Sequence, residues 1–165
     1  MLFIIHLLGS VGLAWSLGAG HLGGGLSAFA LFYLLARLLG LAIGRLRRYA
    51  CSLEHGVSFC LWFIAQVFIA TYQVAALVLA RRIEAEPAIL AYPVARREID
   101  KVTLLGTLLT LTPGTLVLEY DEQQGLLYIH ALDARRREDV TDNLTQLERR
   151  LQAWIDAGKA EGVTP

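Results

Sequence analysis

The longest charge-free run limits this chain most: from Leu2 to Ala36 there is no Asp, Glu, Lys or Arg in 35 residues. As one helix the run would be about 52 Å long, against a hydrocarbon layer of roughly 30 Å. It therefore has to reverse. Five glycines in the eight positions from Gly18 to Gly25 supply the place, because each weakens a helix and permits a tight turn. Two antiparallel apolar segments are expected, 2–17 and 22–43, the first short for a full crossing.

A third segment, 57–79, has 23 residues without formal charge, flanked by Glu54 and His55 on one side and Arg81 and Arg82 on the other. It is long enough to cross a bilayer with some tilt. Gln66, Thr71 and Gln73 are its polar exceptions. Amides are costly against lipid, so Gln66 or Gln73 is expected to face a protein neighbour; Gln73, nearer the end, also reaches the headgroups unaided. Arg37 interrupts the second segment. Its guanidinium either snorkels the roughly 9 Å to the level of Ile43 or pairs with a carboxylate of another membrane subunit along an ion path. Both readings stay open.

Composition agrees with lipid as the solvent of this part. The chain is 55% hydrophobic and 18% charged, where soluble domains carry about 25% charged residues. Residues 1–80 hold four arginines and one glutamate, residues 81–165 the other 11 basic and 14 acidic side chains. The expected organisation is a helical transmembrane region over 1–80, a linker over 81–87, a small water-facing domain over 88–158 and a frayed tail over 159–165. The start Met1-Leu2-Phe3-Ile4-Ile5-His6 lacks the basic region of a secretory signal, so the first segment is expected to be retained. Lysine plus arginine equal aspartate plus glutamate, 15 each, which gives no reason to expect a nucleic-acid partner. Arginine counts on the two sides of the third segment, three against four, leave its orientation undecided.

Beyond Pro87 the hydrophobic period changes. Ile89 to Ala95 reads as a strand, with Pro93 confining it to an edge or a bulge. Asp100 is positioned to cap a helix whose stripe is Val102, Leu104, Leu105, Leu108 and Leu109. Thr112-Pro113-Gly114-Thr115 then has the composition of a type II turn. Thr115–Tyr120 and Leu126–Leu132 form a hairpin pattern, and Val140, Leu144, Leu147, Leu151, Trp154 and Ile155 recur at helical spacing with Gly158 as a stop. The fold class is thus a membrane protein of about three transmembrane helices plus a small α+β domain in the order βαββα, with two amphipathic helices on one face of the sheet.

The search for chemistry returns no catalytic, metal or cofactor-binding set. His6, His21, His55 and His130 are too scattered for a metal site, and Cys51 and Cys60 match no zinc or redox spacing. Gly23-Gly24-Gly25 precedes a membrane segment rather than following a strand, unlike a phosphate loop. His130 and Asp133 could be drawn as an acid and base. Three residues apart along a strand end, their side chains leave opposite faces, so both are read as structural. Arg135-Arg136-Arg137 reads as a solvated helix entry that touches anionic lipid.

Leu109-Thr110-Leu111-Thr112-Pro113-Gly114-Thr115-Leu116, followed after a hairpin by Leu127-Tyr128-Ile129-His130-Ala131-Leu132-Asp133, resembles the E-type component of the Mrp (also Mnh or Pha) multisubunit cation/proton antiporters. The resemblance also takes in the apolar amino-terminal hairpin and the segment ending Gln73-Val74-Ala75-Ala76-Leu77-Val78-Leu79. It departs at Arg81-Arg82-Ile83-Glu84, where a proline earlier than Pro87 is expected. The resemblance implies an accessory or assembly subunit, without cofactor, of a complex exchanging Na+ or K+ for H+. It implies a multi-pass protein of the bacterial cytoplasmic membrane, its terminal domain cytoplasmic and its partners the other antiporter subunits and membrane lipids. Thr112, Pro113, Gly114, His130 and Asp133 are then builders of the small domain. Two alternatives remain: a subunit lining the ion path through Arg37, Gln66 or Gln73, and a membrane-tethered ligand-binding domain. A proton path needs a relay of ionisable groups within the membrane, which this chain alone lacks.

Overall fold

A computed structural model of the chain describes residues 2–16, 22–40, 43–82 and 85–157. The core of the glycine-rich break, the stop expected at Gly158 and the tail 159–165 lie outside the described residues. The elements are α1 (Leu2–Ser16), α2 (Leu22–Leu39), α3 (Gly44–Leu79), β1 (Ala88–Pro93), α4 (Ile99–Leu111), β2 (Thr115–Asp121), β3 (Leu126–Ala131) and α5 (Arg137–Ala157). The fold is mostly helical with one small sheet. Two compact units form, residues 1–57 with 153–165, and residues 58–152. The grouping divides within α3, whereas the composition shift lies at Arg81.

Two helix limits differ from the sequence expectation. α2 closes at Leu39 rather than Ile43, the Gly40 N–H bonding Ala36 O at 2.9 Å. Glycine is required there, since a Cβ would stand 2.9 Å from the Arg47 backbone nitrogen. α3 begins at Gly44 rather than 57 and runs 36 residues. Arg45, Arg47, Arg48 and Glu54 lower the hydropathy of its first turns, but arginine, leucine and alanine are good helix formers and no proline interrupts them. At 1.5 Å per residue α3 is about 54 Å long, so part of it emerges from a ~30 Å layer or the helix tilts. Among the described residues, Leu46–Leu79 is the helix long and apolar enough to cross a membrane.

In the first unit the usual distribution of side chains is inverted. Among the described residues, the buried positions include His6, Ser10 and Ala14 on α1, Ala28 on α2 and Ala50 on α3, all small or polar. Large apolar side chains point outward, with Leu8 66% and Trp15 80% exposed. Close helix contact through small residues, with apolar bulk outside, is how helices pack when lipid is the solvent. Gly9 lets Phe32 sit where a Cβ would be 3.1 Å from its ring.

In the second unit, the part that follows α3 buries its large apolar side chains. Its sheet has the order β1-β3-β2, fully antiparallel, with Leu90 opposite Ile129, Tyr92 opposite Leu127 and Val117 opposite Ile129. A bulge falls between Val117 and Glu119. Leu127, Ile129 and Ala131 form the buried face and join Val102, Leu105 and Leu109 of α4 and Leu144, Leu147 and Leu151 of α5. Apolar surface removed from water in this way stabilises by roughly 25 cal/mol per Å². Pro93 ends an edge strand, where its missing N–H costs no ladder bond. The α4 N-cap is Glu98, not Asp100, which is the second residue of the helix and an acid of its first turn.

Candidate functional site

The first unit holds a polar network among its three helices. His6, Ser10 and Ala14 recur every four residues, so all lie on one face of α1. Phe29 O, a pure acceptor, lies 2.9 Å from His6 Nε2, so this nitrogen donates to it. His6 Nδ1 shares a hydrogen bond with the Tyr49 hydroxyl at 2.6 Å. The imidazole stacks on Phe29 with centroids 4.1 Å apart. One side chain thus ties α1 to both α2 and α3. Ser10 donates to His6 O at 2.6 Å, leaving its hydroxyl satisfied within α1.

On the same two helices, Arg37 Nε stands 3.3 Å from Glu54 Oε1, and the Tyr33 hydroxyl donates to that oxygen at 2.6 Å. The carboxylate partner of Arg37 is therefore within this chain. Neither sequence reading of Arg37, the snorkel or the acid of a neighbouring protein, anticipated it. The pair is neutral as a whole, and its side chains are 50% and 39% exposed.

In the second unit an open groove of about 1190 Å³ brings together Gln66 and Gln73 of α3, Thr112, Pro113 and Gly114, and Asp133. Gln66 is half-buried and Gln73 exposed. The Thr112–Thr115 segment is a turn closed by Thr115 N–H to Thr112 O at 3.3 Å, with Gly114 at φ +89°. Thr115 Oγ1 donates to Leu109 O at 2.7 Å, beside the C-cap Thr112 N–H that bonds the same carbonyl at 3.1 Å. Leu132 N–H then bonds Gly114 O at 2.8 Å. The motif is a helix stop fastened to the strand beside it.

His130 is outside this groove, on the opposite face of β3 between Ile89 and Leu116. Asp133 accepts Arg135 Nη2 at 2.6 Å, and that hydrogen bond holds its carboxyl below the usual carboxylate range. No acid–base pair forms between them. Among the described residues no three His, Cys, Asp or Glu side chains gather to hold a metal ion.

Sequence reasoning missed Glu148. It is 7% exposed and accepts Tyr92 O–H at 2.8 Å and Ala95 N–H at 2.9 Å. Its place four residues after Leu144 and three before Leu151, on the apolar stripe, is the signal that could have found it. Burial in this position raises the Tyr92 hydroxyl to about 12. Glu54 and His6 carried fainter signals: a lone acid in an otherwise acid-free half, and a histidine in helical register with Ser10.

Helices packed through small residues with apolar bulk outside, one of them long and apolar enough to cross a membrane, together with a small three-stranded sheet, fit a membrane protein. A family model described as "Na+/H+ ion antiporter subunit" matches residues 2–154. The chain belongs to this family of antiporter subunits. It is 32% identical over 97 residues to the E-type component of the Na(+)/H(+) antiporter of Bacillus subtilis (strain 168), a match covering 58% of this chain and 61% of that relative's length. It is 31% identical over 120 residues to the E1-type component of the Na(+)/H(+) antiporter of Staphylococcus aureus (strain JH9), covering 72% of each. A solved chain in "Structure of Mrp complex from Dietzia sp. DQ12-45-1b" is similar at a TM-score of 0.44 and 27% identity, covering 58% of this chain and 90% of that one.

Proposed function

We propose that this chain is an accessory subunit that supports assembly of a multisubunit antiporter exchanging Na+ or K+ for H+ across the bacterial cytoplasmic membrane. In this reading α1, α2 and α3 all enter the membrane, the first two as short segments, and residues 88–157 form a cytoplasmic domain. Thr112, Pro113, Gly114, His130 and Asp133 build that domain. The partners are the other antiporter subunits and the surrounding lipid.

The observation that carries the reading is how the polar groups of the first unit are used. His6 is held as a hydrogen-bonded tie between helices, and Arg37 is paired with Glu54. Ion translocation instead calls for a continuous series of titratable groups open to both sides. Deleting the chain and measuring complex assembly together with Na+-dependent ΔpH collapse in everted vesicles tests it. Loss of assembly is the expected result; an intact complex with altered ion dependence overturns it. That second outcome favours direct participation in transport, for which the shared groove of Gln66 and Gln73 is the supporting feature.

A further inference from the structure

We draw no further inference here: the strongest candidate, the outward face of the β1-β3-β2 sheet, where Ile89 and Leu116 flank His130 and stand 60% and 48% exposed, is an unpartnered apolar surface, and nothing in the structure shows what covers it.

Discussion

The Tyr92 hydroxyl donates to Glu148 Oε2 across 2.8 Å, joining the edge strand β1 to α5 through a carboxylate that is only 7% exposed. A hydrogen bond to a charged acceptor contributes about 1.5–3 kcal/mol. Tyr92→Phe is expected to lower stability by about that amount in thermal melts of the full chain in detergent. The effect has a pH window. The folded-state pKa of Tyr92, about 12, lies above its ordinary value of 10.0, so its contribution is complete below pH 10 and is lost as pH rises toward 12. Wild-type and Tyr92→Phe melting curves are expected to converge over that range, and a constant offset would reject the assignment.

Gly114 adopts φ +89°, and a Cβ there would also lie 3.1 Å from Val74 Cγ2. Gly114→Ala is expected to cost about 1–2 kcal/mol through backbone strain alone, with Gly114→Val more damaging. Unchanged melting of Gly114→Ala would remove the turn's role as a conformational requirement.

His6→Phe keeps a ring that can stack on Phe29 but leaves the Tyr49 hydroxyl and its share of Phe29 O unpaired. The expected loss is about 1–3 kcal/mol, read as a lower melting temperature in detergent. His6→Gln, which can donate and accept, is expected to recover part of it. A smaller loss for His6→Phe than for His6→Gln would point to ring packing rather than hydrogen bonding.

Asp133→Asn provides a contrast. The Arg135–Asp133 pair is partly exposed, with side chains 51% and 27% accessible, so salt and water screen it. The substitution is expected to change stability by less than about 1 kcal/mol near neutral pH. Its folded-state carboxyl is held low, so whatever it contributes is present above the ordinary value of 3.8 and fades as pH falls below it. Melting of wild type and variant at pH 7 and pH 3 checks both statements.

Local chemistry made the α+β unit legible in advance. Pro113-Gly114 marks a turn because glycine alone takes its φ cheaply, and alternation from Thr115 to Tyr120 and from Leu126 onward marks a hairpin whose ends fall within a residue of those observed. What stayed hidden depends on tertiary proximity. Glu54 lies 17 positions beyond Arg37 in the chain, and only the packing of α2 on α3 brings them together. The early start of α3 was obscured because charged residues lower hydropathy without weakening a helix. Among the flagged residues, Gln66, Gln73 and Thr112 to Gly114 meet in one groove, while Arg37 and His130 stand elsewhere.

Neither border of the β1-β3-β2 sheet offers a regular ladder. Pro93 removes a donor from one border, and the irregular step between Val117 and Glu119 breaks the repeat on the other. A newcomer strand would find no matching row of backbone groups. This discourages edge-to-edge polymerisation and leaves contacts with neighbouring proteins to side chains.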